Sequence, residues 1–147
     1  MRVYLDNCCF NRPYDDQSQL KIQMETQAKL EIQQQIRDEK LELATSYILE
    51  AENAVNPYER KRIDIQAFMD KYTKAFISEI QDKAVREQAA KIMETGIRLM
   101  DACHIACAML AQCDVFLSTD KRVLKYQSEA IRIMNPVMFV MERSVEE

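Results

Sequence analysis

Glycine and histidine are almost absent from this chain of 147 residues, with Gly96 and His104 the single examples. Dinucleotide-binding loops and P-loops need several glycines, because their backbone approaches the phosphates closely. The sequence therefore excludes both kinds of nucleotide site. A serine or cysteine hydrolase would have to use His104 as its base, and the chain has no nucleophile-elbow motif to accompany it. That class of enzyme is therefore disfavoured.

The cysteines do not have the pattern of a disulfide framework. There are five, an odd number, and Cys8 is adjacent to Cys9. Cys103 and Cys107 lie one helical turn apart with His104 between them. No CxxC or HExxH spacing accompanies them, so a zinc site is the less favoured alternative. We interpret the cysteines as small buried hydrophobic side chains.

No apolar run approaches the length of a membrane span. Residues 1–5 are typical of a strand, and Asp6 would interrupt the apolar region of a signal peptide. We therefore expect a cytoplasmic protein. The net charge is −4, whereas proteins that bind nucleic acid by broad electrostatic attraction usually have a basic domain. A nuclease whose metal ions supply the positive charge remains compatible with this balance.

The length suits one domain, which we place over residues 1–147. Predicted strands alternate with predicted helices, and this alternation indicates an α/β fold with a mainly parallel central sheet flanked by helices. The predicted strands are 2–5, 41–44, 114–118 and 131–134. The predicted helices are 17–37, 46–55, one from about 58, 82–96, 101–113, 120–127 and one after Pro136. Residues 75–80 are compatible with either a strand or a helix.

Four acidic residues stand out by their positions relative to these elements. Asp6 follows the first apolar run, Asp120 follows the run at 115–117, Glu52 lies in the short helix after the second strand, and Asp101 opens an apolar helix. The carboxyl ends of neighbouring parallel strands meet at the edge where open α/β sheets bind ligands. Crowded carboxylates repel each other, and a divalent cation relieves that repulsion. Because all the ligands are oxygens, we predict a Mg²⁺ or Mn²⁺ site.

Each acid taken singly has a plainer interpretation. Asp120 is suited to be a helix N-cap, Asp101 to interact with the dipole of a first helical turn, and Glu52 to be an exposed glutamate. Asp6 is harder to explain in this way, because a carboxylate at the end of a buried strand is costly without a partner. The combination of the four is more specific than any one of them.

Four segments, in this order, resemble the PIN domain family. They are Asp6 after the first strand, SYILEAE at 46–52, DACHIA at 101–106 and STD at 118–120. The resemblance spans the whole chain, and bacterial proteins of this size and pattern are similar to the VapC toxins of toxin–antitoxin pairs. It implies a three-layer α/β fold and a Mg²⁺- or Mn²⁺-dependent endoribonuclease that cleaves single-stranded RNA. It also implies an antitoxin protein as a partner.

The resemblance assigns roles to the four acids. Asp6, Asp101 and Asp120 would bind one or two metal ions, and Glu52 would hold a metal-bound water. Asn7 stands where many relatives have Ser or Thr, and its amide can still hydrogen-bond such a water. The alternative to an active enzyme is a PIN-fold protein that binds nucleic acid or regulates without turnover, which the Asn7 departure and the negative charge both allow.

Several further side chains are candidates for contacts with the RNA. Lys121 and Arg122 follow Asp120 and must lie near the site, as must Ser118, so we expect them to contact the substrate. Arg12 follows the first strand and is placed to reach a phosphate with both arms of its guanidinium. The basic cluster at 60–62 is more typical of a solvated helix face. We interpret His104 as a packed, hydrogen-bonded residue beside the site, and a role as a base is the alternative.

The helix at 17–37 has an apolar stripe at every fourth residue, formed by Leu20, Met24, Ala28, Ile32 and Ile36. This stripe exceeds what a small sheet obviously covers. Exposed apolar stripes usually meet a partner, and a two-fold homodimer is the commonest arrangement. We therefore expect a homodimer. The opposite, glutamine-rich and charged face of the helix is expected to be solvated.

Overall fold

The protein, described here by a computed structural model over residues 1–146, contains one five-stranded sheet. The strands are β1 (Arg2–Leu5), β2 (Glu42–Ser46), β3 (Thr73–Ile77), β4 (Val115–Leu117) and β5 (Arg132–Met134). Their order across the sheet is β3-β2-β1-β4-β5, and each of these neighbours is paired in parallel. The predicted α/β fold with a parallel central sheet is confirmed.

Eight α-helices within the described residues flank the sheet. They are α1 (Asn7–Asn11), α2 (Leu20–Arg37), α3 (Tyr47–Ala54), α4 (Glu59–Tyr72), α5 (Asp82–Met93), α6 (Leu99–Leu110), α7 (Lys121–Leu124) and α8 (Pro136–Glu146), with short 3₁₀ helices at Arg12–Tyr14 and Glu79–Gln81. Helix α2 packs against α8, and α5 packs against α6. None of the described helices is both long enough and apolar enough to cross a membrane.

The central strand β1 is buried on both of its faces, since Val3, Tyr4 and Leu5 are fully inaccessible. This explains why residues 3–5 of β1 form a continuous apolar run rather than an alternating one. After β1 the chain adds β2 and then β3 on one side, and it returns to the other side of β1 for β4 and β5. The boundary between β1 and β4 is therefore the topological switch point, where an open α/β sheet leaves a crevice for ligands.

One element was left open by the sequence, and another was missed. The ambiguous segment at 75–80 contributes to the edge strand β3, which begins two residues earlier at Thr73. Its burial alternates along the chain because one face of an edge strand remains open to solvent. The short helix α1 was not predicted. It begins directly after Asp6, whose carboxylate accepts a hydrogen bond of 2.8 Å from the Asn7 amide and so caps the helix.

Other predicted helices have different ends in the structure. Helix α2 begins at Leu20 rather than at residue 17, because the Gln17 side chain donates hydrogen bonds to the carbonyls of Arg12 and Asp15 and holds the chain in a turn. Helix α5 ends at Met93, and Gly96 beyond it adopts a φ of 99°, which favours glycine. Helix α6 begins at Leu99, two residues before Asp101, and α7 ends at Leu124 rather than at residue 127.

The polar face of α2 is not solvated as expected. Its buried polar residues include Glu25, Lys29, Gln33 and Gln35. Glu25 is only 1% exposed, and its two carboxylate oxygens accept hydrogen bonds from Arg12 (2.9 Å) and Asn135 (2.7 Å). The Lys29 ammonium lies 5.7 Å from the centroid of the Phe10 ring, and burial lowers the pKa of Lys29 to about 8. The Glu25 carboxylate can be buried because protein donors replace its water.

The Arg12–Glu25 pair gives a testable prediction about stability. Replacing Arg12 by Gln leaves the Glu25 carboxylate buried without its cation, and breaking a buried pair in this way typically costs about 3 kcal/mol or more. Urea denaturation should measure that loss in the free energy of unfolding. The matched control is Arg86→Gln, which removes an exposed ion pair with Asp82 and should have a much smaller effect. Equal losses in the two variants would show that Glu25 does not depend on Arg12.

Candidate active site

Asp6 and Ser118 meet at the switch point, at the carboxyl ends of β1 and β4. The Asp6 amide donates to the Leu117 carbonyl over 2.9 Å, and the Ser118 hydroxyl donates to the Asp6 carboxylate over 2.9 Å. Asp6 is 6% exposed and Ser118 is inaccessible. The buried carboxylate thus has the hydrogen-bond partner that its position requires. That partner, Ser118, directly follows the neighbouring strand β4.

Asp120 is joined to this pair through Ser118. The Asp120 amide donates to the Ser118 hydroxyl over 3.1 Å. The Asp120 carboxylate accepts a hydrogen bond of 2.9 Å from the Arg122 amide and caps α7. The N-cap interpretation of Asp120 is therefore confirmed, and it is compatible with a place in the site. A single hydroxyl links the acid that ends β1 to the acid that follows β4.

Asp101 lies in the first turn of α6, half-buried, and faces the same crevice. Its pKa is raised above the ordinary value by burial first, and then by the negative charges of Asp6 and Asp120. His104 and Arg122 oppose that rise without cancelling it. The three aspartates are therefore close enough to repel each other, as their positions in the sequence predicted.

Glu52 reaches the site through a buried chain of hydrogen bonds. The Glu52 carboxylate lies 2.5 Å from His104 Nε2, and His104 Nδ1 lies 2.7 Å from the Tyr4 hydroxyl. Tyr4 in turn lies 2.7 Å from the hydroxyl of Ser46. His104 is 1% exposed, so the interpretation of His104 as a packed, hydrogen-bonded residue is confirmed. Its ring fixes the direction of the Glu52 carboxylate.

Electrostatic interactions also stabilise this series of hydrogen bonds. Burial lowers the pKa of His104, but the hydrogen bond to Glu52 and the charges of Asp6, Glu52 and Asp101 outweigh that effect and leave the pKa above its ordinary value. The imidazole therefore favours the positive or donating form toward Glu52.

Glu50, two residues before Glu52, forms no side-chain hydrogen bond or salt bridge with any residue in 1–146. Of the two glutamates, Glu52 is the one directed at the site.

The donors suit a hard divalent cation in kind, but they do not converge as a ready-made cage. Among residues 1–146, no three His, Cys, Asp or Glu side chains are arranged so that they could hold a metal ion together. Asp6, Glu52 and Asp120 each have a carboxylate oxygen in a hydrogen bond with a protein group. Mg²⁺ characteristically takes one or two carboxylates and keeps several waters. The oxygen-only set at this crevice therefore fits an ion bound partly through water.

Asn7 and Cys8 border Asp6. Asn7 is half-buried, and its side-chain oxygen accepts a hydrogen bond of 3.2 Å from Asn11. Cys8 Sγ lies 3.6 Å from the Asp6 carboxylate and accepts a hydrogen bond from the Thr119 amide. A hydrogen bond from Cys9, together with the Thr119 contacts, lowers the pKa of Cys8 despite burial.

All five cysteines are free thiols, and the four other than Cys8 are buried, as we interpreted them. Cys8 differs because its half-buried sulfur makes polar contacts at the site. The sequence signal for this difference is only its position two residues after Asp6, which does not distinguish Cys8 from Cys9.

The basic candidates divide into two groups. Arg122 lies beside the site, with its Nε 3.5 Å from the Asp120 carboxylate, and Lys121 is exposed next to it. Arg12 is instead engaged with Glu25 and Asp15, each at 2.9 Å. These pairs use Nε and Nη1 of Arg12 and neutralise the buried Glu25. Arg12 therefore has a structural role, and its expected contact with the substrate stays a prediction.

Comparison with known proteins assigns the fold and the family. The PIN domain family matches residues 4–129, and the chain therefore belongs to that family. PIN domains are in general nucleases that use divalent metal ions. No curated protein sequence matches the chain significantly.

Two solved structures are similar to the chain in fold. One is VapBC2 from Rickettsia felis bound to a DNA fragment from their promoter, with a TM-score of 0.57 and 12% identity over 92% of this chain and 98% of that chain. The other is FitAcB from Neisseria gonorrhoeae, with a TM-score of 0.56 and 14% identity over 91% of this chain and 97% of that chain. At these identities the likeness concerns the fold alone.

The raised pKa of Asp101 predicts how this residue affects stability without metal. The folded state prefers the neutral carboxyl, so this preference contributes stability below the ordinary value of 3.8 and is lost as the pH rises through the folded-state pKa. Asp101→Asn should therefore raise the melting temperature of the metal-free protein at pH 7 and leave it near that of the parent at about pH 3. Calorimetry in EDTA at the two pH values measures this difference. A variant that is less stable at pH 7 would contradict the repulsion.

Binding of a metal ion should reverse this order of stability, because it stabilises the parent more than Asp101→Asn. An ion present at 100 times its Kd stabilises the folded state by about 2.7 kcal/mol, which raises the melting temperature of a domain of this size by about 5–10 °C. Mn²⁺ should give such a rise in the parent and a smaller one in Asp6→Asn and Asp101→Asn. The control Glu87→Gln changes an exposed acid on α5 and should keep the full rise. No rise in the parent would count against a metal centre.

Proposed function

We propose that the protein is a Mg²⁺- or Mn²⁺-dependent endoribonuclease that cleaves phosphodiester bonds of single-stranded RNA. Its catalytic and metal-binding residues are Asp6, Glu52, Asp101 and Asp120. The observation that carries the proposal is the gathering of acids at the switch point, where the Ser118 hydroxyl joins Asp6 to Asp120 and the pKa of Asp101 is raised by burial and by the charges of both. Folded proteins bring like charges together at a cost, and such clusters characteristically mark functional sites.

The protein's own residues divide the work as follows. Asp6, Asp101 and Asp120 would hold the ion, which lowers the pKa of a bound water and neutralises charge on the scissile phosphate. Glu52 contacts His104 through one oxygen, which leaves the other to orient the attacking water for in-line displacement. Asn7 and Ser118 border the attacked phosphate, and Lys121 and Arg122 contact the RNA backbone.

The proposal includes a protein partner and a compartment. The similar solved structures are VapBC2 with promoter DNA and FitAcB, and we extend from them a role as the toxin of a toxin–antitoxin pair, restrained by an antitoxin. The five free thiols fit the cytoplasm, where cellular reductants keep cysteines reduced.

A second copy of the chain is the other partner in this proposal. Leu20 and Met24 on α2 are 70% and 47% exposed, and Met141 on α8 is 56% exposed. Together they border an apolar groove between the two helices. The predicted apolar stripe of α2 is thus buried in the core from Ala28 onward, and its beginning near Leu20 is exposed.

Light scattering tests the homodimer. The parent at micromolar concentration should have twice the chain mass of 17.2 kDa, and Met24→Glu should shift the mass toward the single chain because it places a charge in the groove. Ile80→Glu is the matched control, since Ile80 is 93% exposed and lies outside the groove. A parent mass of one chain would remove the dimer.

The rival function is a PIN-fold protein that binds nucleic acid or regulates without turnover. Asn7 beside Asp6 is the feature that favours it, since many relatives have a hydroxyl residue there. Incubation of the protein with generic single-stranded RNA, first with Mn²⁺ and then with EDTA, separates the two functions. Asp101→Asn, prepared in the same way, controls for contaminating nuclease. Cleavage by the parent alone establishes the enzyme, and an intact substrate in every arm favours the rival.

The two neighbouring glutamates on α3 test the assignment of residues within the site. Glu52→Gln should reduce metal-dependent cleavage by about 100-fold or more, the usual contribution of a residue that positions or deprotonates the nucleophile. Glu50→Gln should remain within a few-fold of the parent, because Glu50 is directed away from His104. Rates of cleavage of a labelled oligoribonucleotide measure both, and circular dichroism checks that both variants are folded. The opposite ranking would show that α3 presents a different face to the site.

A further inference from the structure

A cavity of about 350 Å³ opens beside Asp101, between the α5–α6 loop and the end of α7. Its volume is within the range of small-ligand sites, about 300–1,000 Å³. The residues that matter among those lining it are Arg98, Asp101, Arg122, Lys125 and Tyr126. Because Asp101 belongs both to this wall and to the acidic cluster, the cavity adjoins the candidate active site.

The cavity is positively charged although the chain is acidic. Arg98, Arg122 and Lys125 face one carboxylate, Asp101, in a protein of net charge −4. Neither Arg98 nor Lys125 forms a salt bridge with any residue between 1 and 146. Arg122 has only a long contact of 3.5 Å with Asp120. Like charges gathered in a concave surface attract an anion from solution.

An aromatic ring completes the wall. Tyr126 is half-buried and packs against the hydrophobic core, and its amide donates to the Val123 carbonyl over 3.0 Å. Tyr126 is therefore anchored to the core through its packing. An aromatic side chain in the wall beside several cations matches the two halves of a nucleotide, because bases stack on aromatic rings and phosphates accept hydrogen bonds from Arg and Lys.

We propose that this cavity is a nucleotide subsite of the enzyme. It binds the nucleotide that flanks the scissile phosphate, with the base stacked on Tyr126 and the phosphate contacted by Arg98 and Lys125. The inference rests on the proposed ribonuclease function and adds to it the residues that grip the substrate next to the cut. Stacking accepts every base, so the subsite holds the strand without selecting its sequence.

Binding without cleavage tests the charged side of the subsite. Fluorescence anisotropy with a 5′-labelled hexauridylate in EDTA should show that Arg98→Gln and Lys125→Gln each weaken binding about five- to tenfold. Each should also reduce the slope of log affinity against log salt by about 0.7, as expected for one lost contact with a single strand. Lys83→Gln is the matched control, since Lys83 is an exposed cation on α5 outside the cavity, and it should change neither quantity.

A second pair of variants tests the aromatic side. Tyr126→Leu keeps an apolar side chain against the core but removes the stacking face, so binding should weaken at least about fivefold. Tyr126→Phe keeps the face and should remain within about twofold of the parent. In cleavage assays, Arg98→Gln should raise KM while kcat stays within a few-fold.

The outcomes separate this inference from the proposed function. If the parent binds the hexauridylate through these residues but does not cleave RNA, the subsite stands and the ribonuclease fails. If the parent cleaves RNA while Arg98→Gln, Lys125→Gln and Tyr126→Leu bind and cleave like the parent, the subsite is overturned. A cavity that takes an acidic peptide instead of RNA would give that second result. Absence of hexauridylate binding by the parent at low salt would also overturn the subsite.

Discussion

The hydrogen bond from the Asp6 amide to the Leu117 carbonyl, 2.9 Å long, joins the central strand to the strand at which the chain reverses its direction across the sheet. Because β1 and β4 are neighbours in space and Ser118 lies 112 positions after Asp6, acids from distant parts of the sequence meet at one crevice. The parallel pairing brings both carboxyl ends to the same edge. The location of the candidate site is therefore a consequence of strand order.

The core and the site share residues rather than adjoining each other. Tyr4 is inaccessible in the central strand and stacks on Phe116 with ring centroids 5.4 Å apart. The same side chain directs its hydroxyl to His104, which holds Glu52. One imidazole thus connects β1, α3 and α6. The packing that stabilises the protein also sets the direction of a candidate catalytic carboxylate.

Local pattern was enough to place the aspartates but not the polar interior. Asp6 and Asp120 follow apolar runs, and their convergence needed only a parallel sheet. The burial of Glu25 depends on Asn135, a residue 110 positions away, and no local pattern contains that pairing. The cavity is likewise lined by Arg98 and Tyr126, which come from two different loops. Glu52 was distinguished from Glu50 mainly by its spacing from Ser46, since helical phase gave only a modest preference.

Glu25 accepts hydrogen bonds from both Arg12 and Asn135, and this has a consequence for how the chain folds during its synthesis. During synthesis, residue 25 leaves the ribosome long before residue 135 does. Until the later residue emerges, α2 lacks both the amide that completes the Glu25 hydrogen bonds and the helix α8 against which it packs. The nascent chain therefore cannot settle α2 in its final place. Native order on that face of the protein is reached only after Asn135 has been made, when all four acids of the candidate site have already been synthesised.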